Sequence, residues 1–288
     1  MRVLDPLPAR GGLELSDDLL VRADAAEALG RLPGGTFDLI YVDPPFNTGR
    51  RRVRQTLAVA RDEHGGTRTG FGGRRYREQV TGSLHYEDRY EDYVGFLVPL
   101  LARARELLAE HGTLYVHLDP RESHYVKVEL DRVFGRDCFL NEIVWAYDFG
   151  GRSKRRWPAK HDTILVYVRD PRAYWFDADA VDREPYMAPG LVTAEKVARG
   201  KLPTDTWWHT IVPTSGAEKT GYPTQKPEGV LRRIVIASSR PGGWCLDFFA
   251  GSGTLGAVAG PLGRRFVLID SSADALAVMQ RRLGGSAP

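Results

Sequence analysis

The sequence predicts an α/β protein with a mostly parallel β-sheet that helices cover on both faces. Short apolar segments alternate along the chain with segments whose apolar residues recur at helical spacing. The apolar segments are continuous, which is typical of strands that are buried on both faces. A glycine-rich turn also joins one such strand to a helix near residue 250. With 288 residues, 42% of them hydrophobic, the chain is long enough for one domain plus a small lobe.

The first half of the chain provides most of the predicted sheet. Residues 24–32 have helical spacing and end at a Pro-Gly-Gly turn, and residues 37–42 form a short apolar strand. Residues 47–85 are rich in Arg and Gly and show little periodicity, so we expect a long mobile loop there. The elements predicted next are a helix over 90–110, a strand over 113–118, a helix over 125–134, and strands over 139–146 and 161–168.

The second half contains an irregular segment and then returns to the alternating pattern. Residues 170–221 contain five prolines and the adjacent pair Trp207 and Trp208, so we expect a small inserted lobe. The elements predicted after it are a helix over 227–238, a strand over 244–248, a helix over 254–262, a strand over 265–269 and a last helix ending near residue 283. The pattern therefore divides the chain into residues 1–169, 170–221 and 222–288.

Composition excludes several classes of protein. No segment approaches the roughly 18 apolar residues that a membrane-spanning helix needs, and the first residues lack the apolar core of a signal peptide. We therefore expect a cytoplasmic protein. Cys138 and Cys245 are too few for a disulfide framework and lack the paired spacing of a zinc site, so we expect two buried thiols and no metal.

Positive charge is concentrated in two segments. Residues 50–77 contain nine arginines against two acidic residues, a local charge of about +7 in a chain whose net charge is +3. A second cluster over residues 152–160 contains three arginines and two lysines without an acidic residue. Such local excess favours a polyanionic partner over a merely solvated basic face.

The glycine-rich turn over residues 247–254 predicts a nucleoside-binding crevice. Glycines at a strand-to-helix turn let the backbone approach a ligand closely, and Asp270 ends the next strand, where α/β folds hold a ribose. NAD, FAD and S-adenosylmethionine sites all use such a turn. Asp247 precedes the glycines, and a carboxylate there suits a cationic cofactor better than a pyrophosphate, which favours S-adenosylmethionine.

A second motif, Asp43, Pro44, Pro45 and Phe46, follows the first predicted strand. Hydrogen bonds from an aromatic amine to the Asp43 carboxylate and the Pro44 carbonyl would draw its nitrogen toward tetrahedral geometry and raise its electron density. The prolines would hold these acceptors in place, and Phe46 would stack on the base. An amino group inside a duplex is out of reach, so the target nucleotide must swing out. We interpret these four residues as the catalytic motif.

With these two motifs the chain resembles the amino-methyltransferases of DNA, in particular the β class, in which the catalytic motif precedes the cofactor motif. Residues 222–227, Tyr-Pro-Thr-Gln-Lys-Pro, resemble the specific segment that precedes the cofactor motif in that class, although many members have histidine at the position of Tyr222. The resemblance covers most of the chain. It implies a Rossmann-like, S-adenosylmethionine-dependent methyltransferase fold with circularly permuted motif order.

The resemblance also implies roles for the three segments and for individual residues. Residues 1–169 would be the catalytic half, 170–221 the target-recognition lobe and 222–288 the cofactor-binding half of an enzyme in a bacterial or archaeal cell. Trp207 and Trp208 would lie in the core of the lobe or wedge into DNA, and we favour the core. The predicted cofactor residues are Asp24, Thr224, Lys226, Asp247, Phe248, Ala250, Gly251, Gly253, Thr254 and Asp270. The predicted double-stranded DNA contacts are Arg50, Arg51, Arg52, Arg54, Arg74, Arg75, Arg152, Lys154, Arg155 and Arg156.

Several alternatives remain open at this point. Cytosine-N4 methylation uses the same geometry, but that branch usually has serine where Asp43 stands, so we favour adenine N6. A catalytically inactive DNA-binding subunit with the same fold is an alternative of another class, and an NAD-dependent oxidoreductase would leave the proline pair unexplained. For Asp24, a plain helix cap is the alternative to a cofactor contact. The sequence leaves open the recognition sequence, a cognate restriction endonuclease as partner, and the choice between monomer and homodimer.

Overall fold

The computed structural model describes residues 1–47, 90–150, 152–213 and 215–284 in full, and the backbone alone of residues 50–61, 68–69 and 75–88. The chain forms two compact units, Met1–Pro44 with Asp92–Pro288, and Pro45–Glu91. The irregular segment 170–221 belongs to the first unit. Its role as a recognition lobe, like the division into two functional halves, stays a prediction.

Most of the described elements of the first unit alternate between strands and helices, as the hydrophobic pattern predicts, although β1 and β2, and β8 and β9, follow one another directly. The strands are β1 (Arg2–Leu4), β2 (Leu19–Arg22), β3 (Phe37–Val42), β4 (Arg50–Arg61), β5 (Arg68–Thr69), β6 (Arg75–Asp88), β7 (Leu108–Leu118), β8 (Phe139–Ala146), β9 (His161–Val168), β10 (Thr206–Trp208), β11 (Trp244–Asp247) and β12 (Arg265–Asp270). The helices are α1 (Ala25–Leu29), α2 (Tyr93–Leu107), α3 (Pro120–Phe134), α4 (Ala194–Arg199), α5 (Glu228–Ser238), α6 (Thr254–Ala259) and α7 (Ala273–Gly284).

The first unit is built on one nine-stranded sheet in the order β1-β2-β12-β11-β3-β7-β9-β8-β10. Neighbouring strands are parallel except at β9, which is antiparallel to both β7 and β8. The predicted fold class, a mostly parallel sheet with α-helices packed against it, is therefore confirmed. Because β2, β12, β11, β3, β7 and β8 run in one direction, their carboxyl ends lie along one edge of the sheet, which we call the carboxyl edge.

The centre of the sheet is fully buried. Every residue of β3 is buried, and Leu39 and Tyr41 pack in one core cluster with residues of α5, α6 and α7. Helix α2 packs against both α1 and α3. Among the described helices, none combines the length and the apolar character that crossing a membrane requires.

Local sequence signals explain where the helices start. The carboxylates of Asp24, Asp92 and Asp119 each accept hydrogen bonds from the first turn of α1, α2 and α3. Pro120 follows Asp119 directly. Proline has no amide hydrogen, but the first residue of a helix does not need one, because its N–H has no partner within the helix. Helix α6 instead follows Gly253, whose φ of 72° is a left-handed conformation that favours glycine.

The largest difference from the sequence prediction is the segment that we expected to be a mobile loop, residues 47–85. In the second unit, β4 and β6 form a long antiparallel pair, and β5 adds to β6 as a third strand. The prediction of a loop was wrong because the arginines obscured a period-two pattern, visible at Val53, Leu57 and Val59, that is typical of a strand. Residues 62–67 and 70–74, which hold most of the glycines, lie outside the described residues.

Smaller differences concern short edge elements. The predicted strands at β3, β8 and β9 are confirmed, whereas β1, β2 and β10 were not predicted. Trp207 is buried, as expected, but Trp208 is 78% exposed, so the expectation that both indoles lie in a core was wrong. Adjacent residues of a strand point to opposite faces, and β10 lies at the end of the sheet where one face is open.

The two cysteines are buried, as predicted. Burial raises the pKa of the Cys245 thiol to about 12, so this thiol stays protonated at neutral pH.

The amino end of β3 is held by a buried carboxylate, Asp38. It accepts hydrogen bonds from the backbone and guanidinium nitrogens of Arg240, at 2.9–3.1 Å, and from His111 Nε2 at 2.9 Å. Burial by itself would raise the pKa of Asp38, but the donors of Arg240 and His111 outweigh burial and hold the pKa below its ordinary value of 3.8. This cluster ties β3 to the segment that follows α5 and to the first residues of β7.

We predict that Asp38→Asn lowers the free energy of unfolding by about 2 kcal/mol at pH 7, because Arg240 and His111 lose the charge of a buried acceptor. A lowered carboxyl pKa stabilises the folded state above its ordinary value of 3.8 and ceases to do so as the pH falls through the lowered value. Urea unfolding at pH 7 and near pH 3 should therefore show a difference that shrinks in acid. A loss of equal size at both pH values would contradict the role of the charge.

The matched control is Asp179→Asn, which removes a carboxylate that is 82% exposed and pairs with Arg183 and Arg199. Exposed ion pairs contribute little because water screens them. We expect a change within about 0.5 kcal/mol.

Candidate functional site

The carboxyl edge of the sheet brings the two sequence motifs together. Asp43 directly follows β3, and Asp247 ends β11, the strand hydrogen-bonded next to β3. Asp43 Oδ2 is hydrogen-bonded to Lys226 Nζ, and both side chains are largely buried. Among the side chains that the structure describes, none donates to Asp43 Oδ1, although this oxygen is also buried. A buried carboxylate oxygen without a donor is costly, so it marks a place where a ligand's donor would fit.

A buried polar network begins on β3, two residues before Asp43. Tyr41 Oη lies 2.8 Å from His117 Nδ1, and His117 Nε2 lies 3.1 Å from Asp162 Oδ2. Tyr147 Oη donates to the other oxygen of Asp162 at 2.9 Å. The network thus links β3, β7 and β9 with the residue that follows β8, and His117 has no exposed surface. Sequence reasoning missed these residues, since they are single polar positions in apolar strands.

The pKa values of Tyr41 and Asp162 in this network are shifted in opposite directions. Burial raises the pKa of Tyr41 far above its ordinary value, and the negative charges of Asp43, Asp247 and Asp162 raise it further. Burial would also raise the pKa of Asp162, but the hydrogen bond with His117 and the charge of Lys226 together hold it below its ordinary value. At neutral pH the network therefore contains an ionised carboxylate and a neutral phenol.

The glycine turn after β11 is fixed by Asp270. The backbone N–H of Gly251 donates to Asp270 Oδ2 at 2.8 Å, and Ser272 N donates to Oδ1 at 2.9 Å. Gly251 has a φ of 49°, and a Cβ there would stand 3.1 Å from the Tyr222 ring. A side chain at Gly251 would therefore strain the backbone and crowd the turn. The glycine turn, Asp270 and Tyr222 together form a cradle at the carboxyl edge.

The carboxylates at this cradle are electrostatically unfavourable without a ligand. Asp247 is 3% exposed. Burial raises its pKa far above the ordinary value, and the charges of Asp43 and Asp270 add to the rise against the backbone hydrogen bond from Phe249. Burial likewise raises the pKa of Asp270. Such a site favours a positively charged ligand, since a cation removes part of the penalty for ionising buried carboxylates.

The hexapeptide over residues 222–227 joins the two motifs. Gln225 is buried and holds the segment, as its amide accepts from Thr220 N and Oγ1 at 2.9 and 2.8 Å and donates to Glu218 O at 2.6 Å. Thr224 has a φ of 58°, an uncommon conformation for a β-branched residue and typical of functional sites. Lys226 reaches Asp43 through its side chain, and its carbonyl oxygen accepts from Thr254 Oγ1 at 3.3 Å.

Two aspartates at the carboxyl edge act as helix caps. Asp24 Oδ1 accepts from the N–H groups of Ala26 and Glu27 at 2.9 and 3.3 Å. Asp119 caps α3 and is paired with the guanidinium of Arg121. The backbone N–H of Ala23 donates to the carbonyl of Asp270, so Asp24 lies beside the glycine turn. Asp24 thus has the geometry of a cap, and a cofactor contact by it stays a prediction.

The predicted site residues differ in how far the structure describes them. The first unit brings together Asp43, Pro44, the hexapeptide, the glycine turn and Asp270, whereas Pro45 and Phe46 begin the second unit. Arg152, Lys154, Arg155 and Arg156 lie exposed on the connection between β8 and β9. Arg74 lies outside the described residues, and only the backbone is described at Arg50, Arg51, Arg52, Arg54 and Arg75. Their contacts with DNA stay predictions.

We call the connection between β8 and β9, residues 147–160, the basic hairpin. It leaves the sheet at the carboxyl edge, because β8 runs parallel to β3 and β7. A cavity of about 590 Å³ lies elsewhere, lined by residues of the irregular segment and of the sheet, such as Phe176, Trp207 and Tyr115. None of the residues at the glycine turn or the proline pair lines it.

Comparison with known proteins gives a consistent result. The family model of N6/N4 methyltransferases, described as DNA methylase, matches residues 37–281. The DNA adenine methyltransferase YhdJ of Escherichia coli strain K12 is 28% identical over 286 residues, 96% of this chain and 85% of that protein. The PvuII DNA methyltransferase, named as cytosine-N4-specific, has a similar fold, with a TM-score of 0.64 at 15% identity over 98% of this chain and 91% of that one. The M1.HpyAVI–SAM complex has a TM-score of 0.57 at 22% identity, over 92% and 98% of the two chains.

We predict that Asp247→Asn raises the free energy of unfolding of the ligand-free protein by about 1 kcal/mol or more at pH 7. A carboxyl whose pKa is raised by folding stabilises the protein below its ordinary value of 3.8, and this contribution is lost as the pH rises through the raised value. The difference between variant and wild type, measured by urea unfolding, should therefore grow from pH 4 upward. A variant that is less stable than the wild type at every pH would contradict the prediction. The exposed Asp137, changed to Asn, serves as the control and should show no such trend.

Proposed function

Because the chain belongs to the N6/N4 DNA methylase family, we propose that it transfers a methyl group from S-adenosyl-L-methionine to the N6 amino group of adenine at a defined sequence in double-stranded DNA. The observation that carries this proposal is the Asp43 carboxylate. One of its oxygens is held by Lys226, and the other is buried at the carboxyl edge without a donor among the described residues.

Asp43 would hold and activate the amino group. Its Oδ1 accepts one amino hydrogen, and the Pro44 carbonyl accepts the other, which localises the lone pair on the nitrogen. Attack of the nitrogen on the methyl carbon would form the new N–C bond as the carbon–sulfur bond breaks with its electron pair left on sulfur, and the nitrogen would release one proton to solvent. Lys226 keeps the carboxylate in one orientation through Oδ2, so Oδ1 stays aimed at the base. Asp43 therefore acts by preorganised hydrogen bonding and not as a nucleophile.

The residues around the glycine turn fit the cofactor. S-adenosyl-L-methionine would supply an electrophilic methyl group on a positively charged sulfur. The buried carboxylates of Asp247 and Asp270 favour a cation, as their raised pKa values indicate. The strained Thr224 and the tight cradle at Gly251 leave little room for side-chain changes. The other cofactor residues of the proposal are Asp24, Phe248, Ala250, Gly253 and Thr254, whereas Lys226, which the sequence motif assigns to the cofactor, is proposed to hold Asp43.

DNA would be held by the arginine-rich segments. Residues 50–77 carry a charge of about +7, which fits the phosphates of a duplex. The target base must leave the stack to reach Asp43, and Phe46, three positions later, would stack on it. A restriction endonuclease as partner is suggested by the relatives M.HpaI and M.ScaI, which are named as type II methyltransferases.

The choice of adenine rests on one residue and one relative. Asp43 stands where the cytosine-N4 branch usually has serine, and the relative YhdJ is named as an adenine methyltransferase. The cytosine-specific PvuII enzyme supports the fold alone, since it is 15% identical. Cytosine N4 is therefore the alternative that an experiment must test.

We predict that DNA from cells expressing the wild type contains N6-methyladenine at one short sequence, and that Asp43→Ala abolishes the modification. Nucleoside digestion with mass spectrometry identifies the base, and sequencing that detects modified bases maps the motif. N4-methylcytosine as the product would overturn the choice of base. A folded, DNA-binding wild type that transfers no tritiated methyl group to DNA would instead support the inactive DNA-binding subunit. Thermal unfolding of Asp43→Ala checks that the fold is retained.

We predict that Lys226→Met lowers kcat by about 10-fold or more while the Kd for S-adenosyl-L-methionine changes by less than about 3-fold, since the lost contact is to Asp43. Lys226→Arg keeps a charged donor and should recover part of kcat. Single-turnover kinetics and titration calorimetry measure the two quantities. A large rise in Kd with unchanged kcat would show that Lys226 serves the cofactor, as the motif alone suggests.

A further inference from the structure

The basic hairpin presents an aromatic residue that the fold does not use. Trp157 is 95% exposed, and the described residues from 148 to 159 are all exposed. A solitary exposed apolar residue is ordinary on a protein surface. Three further features of this hairpin, its base, its charge and its backbone, distinguish Trp157 from such a residue.

The base of the hairpin is tied to the catalytic strand. Tyr147 N donates to Lys160 O at 3.0 Å, and Lys160 Nζ forms an ion pair with Asp148 at 2.5 Å, which closes the hairpin. Tyr147 Oη and Asp162 then connect this base through His117 to Tyr41, two residues before Asp43. The hairpin is therefore held at the same edge of the sheet as the reacting base.

The positive charge and the backbone conformation of the basic hairpin are suited to binding duplex DNA. Arg152, Lys154, Arg155 and Arg156 precede Trp157, so phosphate contacts would surround the indole. The N–H groups of Arg155 and Arg156 both donate to Ser153 Oγ at 3.2 Å, which orders the tip. Pro158 follows Trp157 and restricts its backbone to extended conformations. An exposed ring with few backbone options can enter a base stack at low entropic cost.

We propose that Trp157 is the wedge that fills the gap in the duplex while the target base is swung out. Apolar side chains that enter base steps hold the duplex open, and an indole stacks on the neighbouring bases. The inference rests on the proposed function, because it assumes a base that leaves the stack. It adds a positioning residue to the reaction, since Trp157 acts on the duplex and not on the reacting atoms.

The other exposed indole at this edge is a weaker fit. Trp208 ends β10 and is 78% exposed, but within five positions on either side the chain has no Lys or Arg and one acidic residue, Asp205. Phosphates would not be attracted to its surroundings. The wedge is therefore assigned to the basic hairpin.

The test compares two duplexes that carry the sequence methylated by the wild type in cells. In one the target base is paired; in the other it faces an abasic site and leaves the stack easily. Trp157→Ala should lower kcat/KM on the paired duplex by about 10-fold or more, and should stay within about 3-fold of the wild type on the abasic duplex. Trp157→Phe, which keeps a flat ring, should recover most of the loss.

A second readout follows the base itself. With 2-aminopurine at the target position, the wild type should raise the fluorescence on binding, and Trp157→Ala should raise it less at equal occupancy. The control is Trp175→Ala, which removes an indole that is 38% exposed and keeps the backbone N–H that donates to His111 O, near the amino end of β7. It should match the wild type on both duplexes, and thermal unfolding checks that each variant is folded.

The outcomes separate the two proposals. A wild type without activity on either duplex refutes the proposed function. An active wild type with Trp157→Ala unaffected on the paired duplex refutes the wedge alone. Equal losses of Trp157→Ala on both duplexes also refute the wedge, because they indicate weaker binding without a role in base extrusion.

Discussion

The contact between Lys226 and Asp43 is the interaction on which the rest of the site depends. It joins side chains 183 positions apart, and it exists because β3 and β11 are neighbours in the sheet although one lies near the start of the chain and the other near its end. The carbonyl of Lys226 also accepts from Thr254 in the glycine turn. A single residue therefore couples the orientation of the Asp43 carboxylate to the glycine turn.

Burial makes it costly to ionise the carboxylates at this edge of the sheet. Three carboxylates, Asp43, Asp247 and Asp270, lie close enough for their charges to interact, and burial raises the pKa of the last two. Lys226 offsets part of this repulsion. A ligand with a positive charge removes more of it, so affinity for a cationic cofactor and lower stability of the ligand-free protein have the same physical origin.

The polar network beneath Asp43 connects β3 with the basic hairpin. Tyr41, His117, Asp162 and Tyr147 satisfy one another inside an otherwise apolar sheet, where an unpaired member would be costly. Because Tyr147 begins the basic hairpin, the same hydrogen bonds that fix β3 also fix the base of a cationic surface element. Rigid support of this kind keeps distant functional groups in register.

The sequence by itself determined the fold class, the strands β3, β8 and β9, and the two motifs, because continuous apolar strands and proline or glycine punctuation are local signals. The sequence prediction was wrong at residues 47–85, where the arginines obscured the alternating pattern of the strands β4 and β6. It was also wrong at Trp208, because strand pairing decides whether this side chain faces the core or the solvent. Only the tertiary structure decided that Lys226 contacts Asp43 and that Tyr41, His117 and Asp162 form one network. These contacts join residues far apart in the chain, and such proximity is set by strand order, which no local pattern encodes.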